Sequence, residues 1–257
     1  MTHTNKRLWL IKFLLSENER YKDVQIPADS EEQFNLYRSL VNVRMPAPIS
    51  EEYLQIEDEY LKNLIAENGI TEIENLTESE HGIYLWQGDI TTLKCDAIVN
   101  AANSQMLGCF VPCHACIDNC IHTFSGIRLR MKCAEIMKNQ GHEEPTGTEK
   151  ITPAYNLPCR YVLHTVGPIV NSVLTEENKT LLASCYTECL KKAQENKLDS
   201  IAFCCISTGI FGFPQEQAAE IAINTVRRFM SETGSSIKVI FNVFKDKDRE
   251  IYEQLLG

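Results

Sequence analysis

After Ser200, six apolar residues follow without a break, Ile-Ala-Phe-Cys-Cys-Ile206. A run of this length is typical of a β-strand buried on both faces, because a strand exposed on one side alternates apolar and polar residues. Tyr161–Val166 reads as a second strand, and the segment 176–196 between the two has the period of a long helix. Strands that alternate with helices predict a three-layer α/β/α domain with a mixed, mostly parallel sheet.

The other predicted elements continue this alternation toward both ends of the domain. They are strands at 83–86, 96–99, 150–152 and 237–244, and helices at 126–141, 214–230 and 246–256. Residues 1–80 show only helical patterns: Ser30-Glu-Glu-Gln33 predicts a capping box, Ser50 predicts an N-cap, and Asn68-Gly69 predicts a helix end. We therefore predict an N-terminal helical extension at 1–80 and an α/β domain at 81–257.

Charge and composition exclude several classes of function. The net charge is −10 and no basic stripe exists, so nucleic acid is not an expected partner. No run reaches the ~18 apolar residues of a membrane helix, and the first residues lack the pattern of a signal peptide. We expect a cytoplasmic protein without a membrane partner. Eleven cysteines, an odd number without a secretion signal, argue against a disulfide framework.

One loop combines three thiols and an imidazole within eight residues, Cys109-Phe-Val-Pro-Cys-His114-Ala-Cys116. Such ligands can converge on one tetrahedral Zn²⁺. Three protein ligands would leave a position open for chemistry, whereas four, with Cys113 included, would make a closed structural site. We favour three, since adjacent Cys113 and His114 cannot easily both face one ion on a short loop. A thiol redox switch is a further alternative.

Four loops follow predicted strands and so meet at one edge of the sheet, where such domains bind ligands. They are Gly88–Thr91, Asn100–Asn103 with the Cys/His loop, His164–Pro168 and Ser207–Pro214. The last has two glycines and leads into a helix N-terminus, which suits an anion such as a phosphate. Simpler interpretations also exist: Asp89 as an N-cap, Asn100 and Asn103 as turn formers, and His164 as a core residue bonded to backbone.

Together the four loops resemble the macrodomain family, which binds ADP-ribose. The matching strings are Gly88-Asp-Ile-Thr91, Asp96-Ala-Ile-Val-Asn-Ala-Ala-Asn103, Tyr161-Val-Leu-His-Thr-Val-Gly-Pro168 and Ser207-Thr-Gly-Ile-Phe-Gly-Phe-Pro214. The likeness covers about residues 80–257. Where the family usually has a glycine-rich loop, this chain has Cys-x₄-His-x-Cys, which resembles the zinc-dependent subgroup. That subgroup also carries an N-terminal helical extension.

The resemblance implies a role for each matching position. Asp89 and Ile90 would hold adenine, Phe244 would stack on it, and residues 207–211 would wrap the diphosphate and the distal ribose. Asn103 and Asp118 would be catalytic beside the distal ribose. The implied binding residues are Asp89, Ile90, Asn103, Ile117, Asp118, Asn119, Ser207, Thr208, Gly209, Ile210, Phe211 and Phe244. Cys109, His114 and Cys116 would hold one Zn²⁺ per chain.

The implied activity is a zinc-dependent glycosidase reaction that removes mono-ADP-ribose from acidic side chains of modified proteins. Whether zinc would activate water or orient the ribose stays open. The alternative is a non-catalytic ADP-ribose-binding module with a structural zinc loop. The implied partners are ADP-ribose and a mono-ADP-ribosylated protein. A sirtuin-type ADP-ribosyltransferase and a lipoylated glycine-cleavage-H-like protein are further partners that the subgroup suggests.

Overall fold

The fold combines a helical N-terminal unit with an α/β unit, and the computed structural model describes all of residues 1–257. The N-terminal helices are α1 (His3–Ser16), α2 (Ser30–Val43) and α3 (Glu51–Asn68). The strands are β1 (Thr71–Glu72), β2 (Glu78–Glu80), β3 (Ile83–Gln87), β4 (Leu93–Lys94), β5 (Ala97–Ala102), β6 (Glu149–Pro153), β7 (Tyr161–Val166), β8 (Ser200–Phe203) and β9 (Lys238–Val243). The remaining helices are α4 (Ile117–Ser125), α5 (Ile127–Gln140), α6 (Glu176–Glu195), α7 (Gln215–Thr233) and α8 (Asp246–Leu256).

Seven strands form the main sheet in the order β2-β3-β9-β8-β5-β7-β6. The five inner strands are parallel, and the edge strands β2 and β6 are antiparallel to their neighbours. Helices α6, α7 and α8 pack together in one layer, while α4 and α5 pack together in the other. This arrangement confirms the predicted α/β/α fold. Because both faces are covered, β5 and β8 are almost entirely buried.

Two of the predicted boundaries differ from the structure in ways that affect the fold, and the others shift by at most three residues. The strand predicted at 200–206 ends at Phe203, because the chain turns there into the loop that precedes α7. The helical extension ends at Asn68 rather than near residue 80, since Thr71–Glu72 pairs with β4 and Glu78–Glu80 joins the main sheet. The segment 71–80 therefore belongs to the α/β unit.

The capping pattern at α2 was assigned to the wrong residue. Asp29, not Ser30, is the N-cap, and its Oδ1 accepts hydrogen bonds from the backbone N–H groups of Glu31 and Glu32. Gln33 does not complete a capping box, because its Oε1 accepts from the Arg7 guanidinium at 2.8 and 3.1 Å. The caps predicted for α3 are confirmed, with Ser50 at its start and Gly69 at its end.

The three N-terminal helices have an apolar core of 11 buried residues, separate from the 44-residue core of the sheet. Ile127 of α5 is part of the smaller core, so the extension is packed onto the α/β unit through α5. None of the helices in the structure combines the length and apolar composition needed to cross a bilayer.

Glu57 of α3 is fully buried where the helical extension meets α5. Its carboxylate accepts hydrogen bonds from the Tyr37 hydroxyl at 2.8 Å, the Tyr53 hydroxyl at 3.2 Å and the Ile127 backbone N–H at 3.0 Å. Burial raises the pKa of Glu57 to about 7, although these three hydrogen bonds act in the opposite direction. The folded protein therefore holds a proton on Glu57 over a range in which the unfolded chain has lost it.

This buried carboxyl predicts that stability declines between acidic and neutral pH. A raised folded-state pKa gives a contribution that is complete below about pH 4.5 and is lost as the pH rises through about 7. Between pH 5 and 8, we expect wild type to lose about 2–3 kcal/mol of unfolding free energy relative to Glu57→Gln. Urea unfolding of both proteins at four pH values measures this difference. The contributions of the other titrating groups are the same in both proteins and cancel. Glu52→Gln, at an exposed site on the same helix, is the control. Parallel pH profiles for wild type and Glu57→Gln would contradict the prediction.

Candidate active site

A cleft of about 750 Å³ opens at the carboxyl ends of the parallel strands. This volume lies in the range of sites that enclose a drug-sized ligand. All the residues that the resemblance singled out line the cleft except Asn119. The lining residues from that set are Asp89, Ile90, Asn103, Cys109, His114, Cys116, Ile117, Asp118, Ser207, Thr208, Gly209, Ile210, Phe211 and Phe244. The fold thus brings together segments more than 150 residues apart in the chain.

One end of the cleft is formed by the loops after β3 and β9. The Asp89 Oδ1 accepts from the Thr91 backbone N–H at 2.9 Å and from its hydroxyl at 2.7 Å, so this carboxylate caps a short 3-10 turn as well as lining the cleft. Phe244 follows β9 with 75% of its surface exposed, although it is a large aromatic residue. An exposed ring next to a fixed carboxylate can stack on a flat heterocycle while its amino group is bound.

The loop between β8 and α7 makes a tight turn that is closed by a backbone hydrogen bond. Ser207 has φ +65°, and its carbonyl accepts from the Phe213 backbone N–H at 3.0 Å. The loop lies so close to Gly167 that a Cβ there would come within 2.1 Å of the Ser207 Oγ and 2.8 Å of the Ile206 Cγ2. A Cβ on Gly209 would meet nothing within 4 Å. The loop therefore packs on Gly167 and leaves open space on its cleft side, ahead of the α7 N-terminus.

The other end of the cleft holds the Cys/His loop. The Sγ atoms of Cys109 and Cys116 and a ring nitrogen of His114 all lie within 4.8 Å of one another, and Cys109 Sγ is 3.8 Å from His114 Nδ1. Zinc–sulfur and zinc–nitrogen bonds of ~2.3 and ~2.0 Å in a tetrahedron separate neighbouring ligand atoms by about 3.5–3.8 Å. The distance between Cys109 Sγ and His114 Nδ1 therefore matches two ligands of one tetrahedral ion, and the Cys116 sulfur lies close enough to be a third.

Cys113 points away from these three residues. Its φ is +52°, and its Sγ lies 3.2 Å from the Ser39 Oγ and 3.3 Å from the Asn35 carbonyl oxygen on α2. The positive φ turns the chain between Cys109 and His114, so that the adjacent side chains of Cys113 and His114 diverge. For Cys113 to join the other three side chains as a fourth ligand, its sulfur would have to give up its contacts with Ser39 and Asn35 on α2.

Burial raises the pKa of acidic groups at this end of the cleft. Burial raises the pKa of the Cys116 thiol to about 12, and the nearby Cys109 and Asp118 raise it further against a hydrogen bond from the Asn119 N–H. The Cys116 thiol, buried beside a carboxyl, is therefore costly to ionise without a cation. A divalent cation would remove that cost, which is a second respect in which the donor set fits a zinc ion.

Asp118 lies directly below the Cys/His loop in the first turn of α4, with 5% of its surface exposed. Its Oδ1 accepts from the Asn100 amide at 2.8 Å, and its Oδ2 is 3.4 Å from the Asn103 amide nitrogen. Burial raises the pKa of Asp118 to about 6, while the Asn100 hydrogen bond and the Arg130 charge oppose that shift. The carboxylate is therefore fixed in place by two amides of the Asn100–Asn103 segment.

A buried polar chain continues from Asp118 into the sheet. The Asn100 amide nitrogen is 3.1 Å from His164 Nδ1, and the Thr152 hydroxyl is 3.0 Å from His164 Nε2. The expectation that His164 bonds to backbone was wrong, since both ring nitrogens face side chains. Burial lowers the pKa of His164 to about 3, so the ring stays neutral and one nitrogen can accept while the other donates.

Asn119 was wrongly assigned to the cleft. It has no exposed surface, and its amide nitrogen donates to the carbonyls of Val111 at 2.9 Å and Cys109 at 3.4 Å. Its Oδ1 accepts from the Arg38 guanidinium at 2.8 Å. Successive helical residues point about 100° apart, so when Asp118 faces the cleft, Asn119 turns away from it. Asn119 holds the loop instead of contacting a ligand.

The sequence predicts no role for Arg38, and it predicts Asn100 either as a turn former or as an amide that faces a ligand. Arg38 lines the cleft although it lies in the helical extension, and Asn100 is buried on β5 beneath Asp118. Nothing in the local pattern around Arg38 distinguishes it from a surface arginine, because its partners are 76–82 residues further along the chain. Asn100 carried a signal, since an amide within an otherwise apolar buried strand needs a polar partner.

A cleft at the carboxyl ends of a parallel sheet, with a strand-to-helix anion loop and an exposed stacking ring, defines an α/β/α nucleotide-type binding domain. The chain belongs to the macro domain family, whose sequence model, described as "Macro domain", matches residues 99–222. It is 58% identical to a "Protein-ADP-ribose hydrolase" of Treponema medium, with both chains covered in full. It is 47% identical to a protein of the same name from Staphylococcus aureus strain MSSA476, over 95% of this chain and 94% of that one.

Solved structures agree with this membership. The fold matches a Trypanosoma brucei macrodomain in complex with ADP-ribose at a TM-score of 0.67 and 31% identity, covering 86% of this chain and 95% of that one. Because the match covers 86% of this chain, it extends beyond the α/β unit into the N-terminal helices.

Proposed function

We propose that this protein is a zinc-dependent hydrolase that removes mono-ADP-ribose from acidic side chains of modified proteins. One observation carries the proposal: three Cys/His side chains close enough to share one metal ion lie beside a buried carboxylate at one end of a nucleotide-sized cleft. Three protein ligands would leave the fourth position of a tetrahedral ion free for the substrate or a water. A pure binding module needs the cleft but has no use for a carboxylate fixed next to an open metal position. The names of the Treponema and Staphylococcus relatives support the same activity.

The ligand would lie along the cleft with its adenine at the Asp89 and Phe244 end. The Ser207–Phe211 loop would surround the diphosphate with backbone N–H groups, which suits a protein without a basic patch. The distal ribose would then reach Asn103 and Asp118. The cleft would therefore hold adenine, diphosphate and distal ribose in the order in which these groups are joined in the ligand.

At the distal ribose, Asp118 would take a proton from the attacking water as its oxygen bonds to the anomeric carbon. The bond from that carbon to the side-chain carboxylate oxygen breaks, and the carboxylate leaves as the free Asp or Glu. Asn103 would orient the ribose hydroxyls, and Asn100 would hold the Asp118 carboxylate at 2.8 Å. A zinc ion held by Cys109, His114 and Cys116 would supply Lewis-acid stabilisation of negative charge that develops on oxygen.

The test of this function is a release assay on a mono-ADP-ribosylated protein, with and without a chelator and with zinc added back. We expect release from Glu/Asp-linked substrate, loss of release on chelation, and recovery with Zn²⁺. Serine-linked substrate should remain modified. Binding of ADP-ribose without any release would favour the non-catalytic binding module, and release that survives complete removal of metal would remove zinc from the proposal.

The cellular setting is also proposed by resemblance. The subgroup suggests a sirtuin-type ADP-ribosyltransferase as the source of the modification and a lipoylated glycine-cleavage-H-like protein as its carrier. A hydrolase of this kind would make the modification reversible. Release assays on that carrier, modified by such a transferase, test this substrate directly against an unrelated modified protein.

We predict opposite effects on stability and on ligand affinity when two glycines at the proposed diphosphate loop are changed to alanine. Gly167→Ala would drive a Cβ into Ser207 and Ile206, so we expect a loss of about 1–3 kcal/mol in unfolding free energy. Gly209→Ala meets open space, so stability should change by less than about 0.5 kcal/mol. Its Cβ would instead enter the space assigned to the diphosphate, and ADP-ribose affinity should fall about tenfold. Thermal unfolding and calorimetric titration separate the two effects. Unchanged affinity in Gly209→Ala would place the diphosphate elsewhere.

A further inference from the structure

The Cys/His loop is attached to the helical extension by side chains on one face of α2. Arg38 donates from Nη2 to the His114 carbonyl at 2.7 Å, and Asn42 accepts from the Cys113 backbone N–H at 2.9 Å. Ser39 contacts the Cys113 sulfur at 3.2 Å. Positions 38, 39 and 42 share a helix face, since residues three and four apart lie side by side.

Arg38 reaches a second part of the loop through Asn119. The guanidinium donates to the Asn119 Oδ1 at 2.8 and 3.2 Å, and the Asn119 amide donates to the carbonyls of Cys109 and Val111. Arg38 is therefore connected, directly or through one amide, to the backbone of Cys109 and His114. These are two of the three proposed metal ligands, and they lie in a stretch without regular secondary structure.

Arg130 of α5 connects the same loop to the C-terminal end of α2. Its Nη1 donates to the carbonyls of Val41, Asn42 and Arg44 at 2.8–2.9 Å, where a cation is favoured by the helix dipole. Its Nε donates to the Leu107 carbonyl at 2.7 Å, and its guanidinium lies 4.4 Å from the centroid of the Phe110 ring. The loop is thus bound to α2 both at its beginning and near its middle.

We infer that α2 is a scaffold for the Cys/His loop and that Arg38 is a positioning residue for the metal ligands. The inference rests on the proposed zinc site and gives the helical extension a role in it. Side chains that hold ligands without touching the metal typically change metal affinity by about 10- to 100-fold when replaced. Arg38 suits this role because its planar fork can serve two acceptors at once, His114 and Asn119.

The experiment compares Arg38→Gln with wild type in the full-length protein. The first readout is Zn²⁺ affinity from competition with a chromophoric chelator, where we expect a 10- to 100-fold loss. The second is the absorption spectrum of the Co²⁺-substituted protein, whose thiolate and d–d bands report ligand geometry. We expect the bands to shift or broaden in Arg38→Gln. Its turnover should fall at limiting zinc and recover largely at saturating zinc.

Arg20→Gln is the matched control, because Arg20 lies in the same extension but is exposed and contacts Tyr21 rather than the loop. It should bind zinc as wild type does. Arg38→Lys keeps the charge but not the fork, and it should fall between wild type and Arg38→Gln. If Arg38→Gln does not fold, as judged by thermal unfolding, Arg38→Lys decides the question by the same two readouts.

The outcomes separate this inference from the proposed function. Wild type that binds no zinc would overturn both. Wild type that binds zinc, with Arg38 variants equal to it in affinity and in cobalt spectrum, would overturn the positioning role and leave the proposed hydrolase standing. Equal losses in Arg20→Gln and Arg38→Gln would also overturn the role, because the effect would then belong to charge rather than to the contact with the loop.

Discussion

Replacing Cys116 with serine is expected to lower zinc affinity by about 150- to 5,000-fold while leaving the fold intact. One of three ligands carries about 3–5 kcal/mol of the ~10–16 kcal/mol with which such sites bind zinc. The fold should survive because Cys116 is also the N-cap of α4, where its Sγ accepts from the Asn119 N–H at 3.4 Å. Serine is a preferred N-cap residue, so the variant loses a thiolate without losing the cap.

The matched control is Cys113→Ser, which removes a thiol three residues before Cys116 in the same loop. The Cys113 sulfur faces α2, so this variant should keep its zinc and its turnover. Wild type, Cys116→Ser and Cys113→Ser are compared by metal content of the freshly purified protein, by thermal unfolding and by the release assay. Loss of zinc in Cys113→Ser would establish a four-ligand structural site. Zinc-free wild type with reversible thiol oxidation would favour the redox switch.

The fold could be predicted from the sequence because its signals are local. The apolar run after Ser200 and the strand at 161–166 have the composition of buried strands, and both belong to the five inner, parallel strands of the sheet. Errors occurred at boundaries, where tertiary contacts decide. Strand β8 stops at Phe203 because the following loop bends around Gly167, a contact between residues far apart in the chain. Likewise, Glu78–Glu80 is a short polar strand without a period of its own.

The site was predictable to the extent that its residues stand in motifs. The loops at 88–91, 100–103 and 207–214 follow strands, so their meeting at one edge of the sheet follows from the fold class. Arg38 and Asn119 could not be assigned this way. Asn119 stands next to a cleft residue, yet helix rotation turns it into the core. Arg38 becomes part of the site only because α2 packs on α4, which no pattern in the first 80 residues encodes.

Replacing Asp118 with asparagine is expected to lower kcat for release of ADP-ribose by about 10²- to 10⁴-fold, the usual contribution of a general base. Asparagine keeps the shape of the side chain and can still accept from Asn100, but it cannot take a proton from water. The affinity for free ADP-ribose should change less than about threefold, because the proposed adenine and diphosphate contacts do not involve Asp118. Single-turnover release and calorimetric titration with ADP-ribose measure the two quantities separately.

Asp246→Asn makes the same change of charge at a carboxylate outside the cleft, where Asp246 accepts from the Gln87 amide at 2.8 Å. It should leave kcat unchanged, so a fall in both variants would assign the effect to net charge instead of to position. If Asp118→Asn turned over within threefold of wild type, Asp118 would have no part in the chemistry. If it instead lost affinity with kcat preserved, the carboxylate would bind the ribose hydroxyls, and the base would have to be sought at the metal end of the cleft.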